Sequence, residues 1–481
     1  MKTGFRNGFG RVVSVTVLAA VAVFAGAGTA AASQADYEKG YELGIDAYKY
    51  GLPLLTMKKT YVNQTSVNVP TGQGFGPANR FNAVREFVDP SDRSVVAPNY
   101  DTLYSIAWIN LKKQPKVLHV PKVRNRFFVI PLYSPYTENF RNLGSVNGTK
   151  PGDYAIVGPK QRHVKLPAGV KRIKSPYNRV WIIERIFAKP ESQKDIQKVH
   201  KIQDRTTLTP LSKYGKKNWK PKKPKRTDTT VDDPGLPEGL AYFNKLGIQL
   251  RKFPPPAADD AELERLAEVG IGPGMKPSEA GLDPDTLRGL ADAAADGPAS
   301  AESDLTAAYL AGFNAHNGYM VIPTGKYGTD YELRALVTKV GLGALRPNQA
   351  IYPFTQMDRN LNPLVGSKKY AMHIPEGKLP PARAFWSLTL YDLEGFFVPN
   401  QADRYAIHDR TDLYFNPDGS LDLYLQNTEP SDPDRARNWL PTPAGDGRFR
   451  LIWRMFSPKP GKISGILDGT GWTGPTITSV P

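Results

Sequence analysis

The stretch NYDTLYSIAWINL, Asn99–Leu111, alternates like a β-strand but has no plain solvent face. Leu103, Ser105, Ala107, Ile109 and Leu111 fall on one side, and Thr102, Tyr104, Ile106, Trp108 and Asn110 on the other. A strand packed on one side only would show one polar face. Here either both faces are core, or the Tyr104–Trp108 face lines a cavity.

Further strand patterns follow. RFFVIPLYS (126–134), DYAIVGP (153–159) and RVWIIERIFA (179–188) are apolar, aromatic and β-branched runs bounded by Pro, Gly and Asn. A helical section comes next. Ile196, Val199 and Ile202 lie at helical spacing, and the Ala-rich run after Asp283 and Asp285 carries its own cap. Past residue 350 the strands return as KYAMHIP, AFWSLTLYD, RYAIHD, LDLYLQ and RFRLIWRMF, and NPDGSL (416–421) predicts a hairpin turn. Ahead of all these, Tyr37, Tyr41, Gly44 and Tyr48 form one helical stripe, which Pro53 should break or kink. FFVIPLYS from Phe127 and FWSLTLYD from Phe385 match in pattern, a hint of internal duplication. The expected fold is α+β and mainly β: two β-sandwich or jelly-roll-like units linked by helices. Its expected parts are 33–190, an N-terminal helix and sandwich; 191–345, a basic loop and helical section; and 346–481, a C-terminal sandwich.

The chain has 481 residues, enough to bury several cores, and 43 each of Pro and Gly, which favours short strands and many turns. It has no Cys, which excludes disulfides, a thiol nucleophile and thiolate metal sites. Residues 1–32 read as a signal peptide. Lys2, Arg6 and Arg11 precede the apolar run Val12–Phe24, and Ala30-x-Ala32 offers cleavage near Ala32/Ser33. No Arg-Arg pair stands before the run, which points to the general secretory route. Thirteen apolar residues are short for a span. The mature protein is therefore expected to be secreted, with no transmembrane anchor. The net charge of +17 is concentrated in Lys213–Arg226, with eight positive charges and no acid. In an exported protein that segment points to an anionic cell-wall polymer rather than nucleic acid, with a plain solvated loop as the alternative.

Familiar catalytic signatures are missing. There is no Gly-x-Ser-x-Gly elbow and no P-loop, and the His at 119, 163, 200, 316, 373 and 408 form no helical metal pair. No metal and no cofactor is expected. What remains is aromatic side chains beside polar ones: Tyr100 and Tyr104; Tyr136, Asn139 and Arg141; Trp386 and Tyr391; Arg404; Trp439; and Trp453 with Arg454. Rings that stack, flanked by directional hydrogen-bonding groups, suit a sugar-like or aromatic ligand. The first nine of these residues together with Trp108 are the candidate binding set, Trp453 and Arg454 standing outside it. An ordinary β-core with satisfied hydroxyls is the alternative. Asp101 and Glu138 are candidates for a general acid and base.

Several segments carry a family resemblance. AYKYGLPLLTM, NYDTLYSIAWINL, RFFVIPLYSPYTENFRNLG, GDYAIVGP and LTPLSKYG resemble the domain of unknown function 1254. AFWSLTLYDLEGFFVPN, DRYAI, NPDGSLDLYLQ, NWLPTPAGDGRFRLIWRMFSP and the closing GWTGP resemble the domain of unknown function 1214, its usual C-terminal partner. Phe127-Phe128 stands where the family often has two Tyr, and Ser134 where it often has Asp. The resemblance implies an exported protein with strand-rich ends and transfers no activity. The expected function is binding of a sugar-like or aromatic small molecule, or of an anionic wall polymer, in an aromatic-lined cleft. A secreted Asp/Glu hydrolase or lyase and a cell-surface interaction protein are the alternatives.

Overall fold

The computed structural model describes residues 27–67, 71–93, 96–217, 219–221 and 235–481, with side chains from Ser33 onward. The proposed leader lies outside the described residues apart from the backbone of 27–32, as does much of the basic segment, namely 218 and 222–226.

The first half is a pair of packed sheets. Its strands are β1 (Asn82–Ala83), β2 (Thr102–Asn110), β3 (Lys116–Val120), β4 (Phe128–Tyr133), β5 (Asn139–Gly144), β6 (Gly152–Val157), β7 (Lys171–Lys174), β8 (Arg179–Phe187) and β9 (Thr207–Pro210). One sheet runs β1-β2-β8-β4-β5 and the other β7-β6-β3-β9. Leu103, Ala107 and Ile109 of β2 meet Ile182 and Ile186 of β8 against Leu118 and Ile156 of the facing sheet. Helix α2 (Gln193–Arg205) closes one edge, started by the Ser192 side chain accepting from Asp195 N–H.

The helical layer is drawn from both sides of this half. Helix α1 (Ala27–Thr65) packs along the later helices α3 (Leu240–Lys252), α4 (Asp260–Ala267), α5 (Pro284–Phe313) and α6 (Tyr331–Gly341). The close approach of α1 and α5 needs missing side chains. A Cβ on Gly40 would stand 2.3 Å from the Thr286 carbonyl oxygen, and one on Gly289 2.2 Å from that of Tyr37. Tyr37 and Tyr41 donate to Asp292 and Asp296, so the aromatic stripe serves packing. Pro53 does not end α1. A single lost N–H bond is outweighed where the helix is held along its length by neighbours.

The second half contains β10 (Ala350–Ile351), β11 (Phe354–Thr355), β12 (Lys369–Ile374), β13 (Ala382–Asp392), β14 (Ala406–His408), β15 (Leu421–Gln426), β16 (Trp439–Pro441), β17 (Phe449–Pro458) and β18 (Ile477–Val480). Its sheets run β10-β17-β13-β14 and β16-β15-β12-β18, and their inner faces share one core through Trp386, Leu388, Trp453, Met372 and Leu423. The turn at Asp418-Gly419 forms, with Gly419 at φ +79°, but no ladder strand enters it. It leads into β15, whose partners are β12 and β16.

The two halves repeat one topology. Reading β2, β3, β4, β5, β6, β7, β8 and β9 against β10, β12, β13, β14, β15, β16, β17 and β18 gives the same neighbours throughout. The same single pair is parallel in each, β6 with β7 and β15 with β16. His119 opposes Asp153 on β3–β6, and His373 opposes Asp422 on β12–β15, with Nδ1···Oδ1 distances of 2.8 and 2.7 Å. The match between Phe127 and Phe385 seen in the sequence is thus one point on a full structural repeat.

Candidate functional site

The outer faces of the β1-β2-β8-β4-β5 sheet and of the β10-β17-β13-β14 sheet, to which β11 adds a pair with β17, meet, and the seam between them holds a cavity of about 440 Å³. The odd-numbered side chains of β2 went to the sandwich core, so Tyr104, Ile106 and Trp108 project from the opposite face. Trp108 packs under α1, stacked on Trp181 and donating through Nε1 to Gln64 at 2.8 Å. Tyr104 and Ile106 line the cavity with Ile183 and Arg185 of β8. From the other half come Tyr352, Ile452 and Arg454. The opening stretch therefore has core on one face and, on the other, both a helix contact and a cavity wall.

These contributions are copies of each other. Tyr104 opposes Arg185, and Ile106 opposes Ile183. Val129 opposes Arg185, as Ser387 opposes Arg454. Ala350 opposes Phe456 and Ile351 opposes Met455, which brings Tyr352 level with Arg454. Tyr104, Ile183 and Arg185 thus correspond to Tyr352, Ile452 and Arg454.

Both arginines are buried, at 9% and 4% exposure, and among the described residues neither has a carboxylate at ion-pair distance. Arg185 donates from Nη2 to the Gly343 carbonyl at 2.8 Å, and its guanidinium lies 5.5 Å from the Tyr104 ring. Arg454 donates to Thr389 Oγ1 at 3.0 Å and to the Ala97 carbonyl at 3.1 Å. Burial disfavours the charge on each, but the surrounding tyrosines, joined by the more distant Asp101 at Arg454, outweigh it and hold both guanidiniums above their usual range. Gly343 sits in the loop after α6 at φ +82°, where a Cβ would come 2.8 Å from Ile183 Cδ1. Its carbonyl also accepts the Tyr133 hydroxyl at 2.6 Å.

A second feature of the seam is Asp101, which is fully buried. Its Oδ2 accepts from Ser387 Oγ at 2.6 Å, and its Oδ1 meets His408 Nδ1 and Arg410 Nη1, each at 2.9 Å. Burial pushes its carboxyl up, but His408, Arg410 and Ser387 together pull it well below the usual carboxylate range. The corresponding position in the second half is Gln349. Ala188 N–H donates to the Asp101 carbonyl as Ser457 N–H does to that of Gln349. The Gln349 side chain also crosses the seam, to Asn147 Oδ1 at 2.9 Å.

Of the candidate ligand residues, the structure places only Tyr104 on the cavity wall. Trp386 lies in the core of the second half, because even-numbered residues of β13 face inward and odd-numbered ones face the seam. Tyr391 faces the seam but is buried against Phe397. Tyr100 packs on Phe397 and Tyr405, and Tyr136 donates to the Phe253 carbonyl. Asn139 bonds Asn142, Arg404 donates to the carbonyls of Ala436 and Arg437, and Trp439 donates to Gln426 O. Arg141 is exposed. Asp101 has no open face for a substrate, and Glu138 accepts the N–H groups of Tyr327 and Gly328, so the two acids have separate structural duties. Arg185, Tyr352 and Ile452 went unnoticed in the sequence. The signal for Arg185 was a Glu-Arg pair set inside an otherwise apolar strand.

Comparison with known proteins locates both halves. Residues 78–210 match the family described as Protein of unknown function (DUF1254), and residues 349–460 match Protein of unknown function (DUF1214). No curated protein matches the chain. The VPA0106 protein from Vibrio parahaemolyticus is similar in structure, with a TM-score of 0.63 and 22% identity over 92% of this chain and 100% of that one. An uncharacterised protein from Burkholderia cenocepacia aligns at a TM-score of 0.41 and 12% identity, covering 94% of this chain and 96% of that one. Each family match falls on one copy of the repeated topology, the DUF1254 match on the N-terminal copy and the DUF1214 match on the C-terminal one.

Proposed function

We propose that this protein is exported and binds an apolar or aromatic small molecule in the cavity between its two halves. The observation that carries the reading is the cavity itself, about 440 Å³ and walled by Tyr104, Ile106, Ile183, Tyr352 and Ile452. That volume falls in the range of small-molecule sites, and apolar walls with a few polar groups are their usual composition. A neutral fluorescent probe, N-phenyl-1-naphthylamine, tests it. Saturable binding to the purified protein, lost in Ile452→Trp, is the expected result. No saturable binding overturns it.

Export rests on the leader pattern. No helix among the described residues is long and apolar enough to cross a membrane. Ser33, the first described side chain, already bonds Asp285 of α5. Cleavage after Ala32 would leave that contact intact. N-terminal sequencing of protein from the medium should start near Ser33, and an intact leader on cell-associated protein would refute export.

A further inference from the structure

Two buried guanidiniums facing one cavity without a carboxylate partner are an expensive arrangement. Burying a charge costs free energy unless a counter-charge and hydrogen bonds compensate. Each arginine here is held by two neutral acceptors: Gly343 O and, at 3.5 Å, Ile183 O for Arg185, and Thr389 Oγ1 with Ala97 O for Arg454. A guanidinium has five N–H donors, so donors remain on both. The acids near the site do not fill the gap. Asp101 gives its oxygens to Ser387, His408 and Arg410, and Glu184 lies on the core face of β8. Glu86, at the cavity rim, is exposed, Asp92 is half-buried there, and among the described residues neither pairs with Arg185 or Arg454.

The arrangement is also doubled. Each half supplies an arginine and a tyrosine at matching positions, Arg185 with Tyr104 and Arg454 with Tyr352. Tyr352 lies in the electrostatic field of both guanidiniums. Among the described residues, neither the Tyr104 nor the Tyr352 hydroxyl has a protein partner, which leaves two more polar groups free at the same wall.

Resting on the reading of the cavity as a ligand site, we propose that its ligand is an apolar carboxylate, with the carboxylate held by Arg185 and Arg454 and the hydrocarbon or ring against Ile106, Ile183 and Ile452. Guanidinium and carboxylate match in shape and charge, and the charge-assisted bonds they form are stronger than neutral ones. A low-dielectric cavity strengthens them further.

The test compares 2-naphthoate with the isosteric neutral 2-naphthamide at pH 7.5, each displacing N-phenyl-1-naphthylamine from the wild-type protein. The acid should bind at least tenfold more tightly than the amide. Arg185→Gln should remove most of that advantage while leaving amide affinity within about twofold. Because Arg454 also ties Ala97 to Thr389, Arg454→Gln is a supporting variant, scored only if its melting transition is cooperative. If the amide binds as well as the acid in the wild type, the carboxylate assignment is wrong while the cavity reading stands. If neither the probe nor either naphthyl compound binds, both fall.

Discussion

Asp101 of the first half and His408 of the second lie 2.9 Å apart, Oδ1 to Nδ1, in the buried seam between the two sandwiches. They are separated by 307 positions in the chain. Arg410 and Ser387 complete the group, so three side chains of one half converge on a single carboxylate of the other. Sequence inspection offered Asp101 as a catalytic acid. Its enclosure makes it a joint between the halves.

Removing that carboxylate should therefore damage stability. Asp101→Asn takes from buried Arg410 its 2.9 Å counter-charge and leaves only Asp409 at 3.8 Å, and a loss of about 3 kcal/mol is expected in chemical denaturation. The pH dependence has a definite sign. The folded carboxyl titrates below its unfolded value near 4, so its contribution is complete above that pH and lost as acid is added. Asp101→Asn should flatten the acid limb of the stability profile. An unchanged limb would remove Asp101 from this role.

Glu184 should act in the opposite sense. It is fully buried on the core face of β8, with Oε1 accepting from Thr206 at 2.8 Å and, among the described residues, no partner at bonding distance for Oε2, though the Ser105 hydroxyl is nearby. Burial pushes it up to about 7, and the Ser105 and Thr206 hydroxyls only partly offset this. The folded state keeps its proton to higher pH than the unfolded chain does. Stability is then highest below about 4.5 and falls as pH rises to about 7, by about 3 kcal/mol. Equilibrium unfolding of Glu184→Gln across that window should lack this fall.

Gly343→Ala should cost stability and ligand together. The residue sits at φ +82°, and the new methyl would press on Ile183 and Trp181. A loss of about 1–2 kcal/mol follows from the backbone conformation and the contact. Displacement of its carbonyl also takes from Arg185 and Tyr133 their shorter hydrogen bonds, leaving the longer ones to Ile183 O and Ala344 O. A variant with wild-type melting temperature and wild-type probe affinity would show the loop to be indifferent.

Trp386→Ala separates core from cavity. The ring is buried against Trp453 inside the second sandwich, so truncation should cost about 3–5 kcal/mol. Probe affinity, measured where the variant is still folded, should stay near wild type. Arg141→Ala, on an exposed position, should change neither quantity. A selective loss of affinity in either variant would relocate the binding site.

The strands were legible because their apolar alternation and Pro/Gly boundaries are local signals. Asn99–Leu111 announced two buried faces, and both were found. The wall of the cavity was harder to read. It is assembled from Tyr104, Arg185, Tyr352 and Arg454, which lie on four separated segments and meet only once the sheets abut. Choosing Trp386 was an error of one residue in register, since Phe385, Ser387 and Tyr391 take the seam side of β13. A strand buried on both sides does not reveal which side is the core. Bulky aromatics therefore drew attention, although the site's polar character comes from arginines hidden in apolar runs.

The matching positions Asp101 and Gln349 give the seam an uneven chemistry. Both side chains bridge the halves, but one bridge is ionic and the other is amide to amide. Protons can reach only the first. As acidity increases, the Asp101 clasp weakens while the Gln349–Asn147 clasp holds, so the loss of stability should be felt first on the Asp101 side of the seam. A doubled architecture whose copies had stayed identical would loosen evenly. The difference between Asp101 and Gln349 makes one of these two bonds across the seam sensitive to acid and leaves the other indifferent to it.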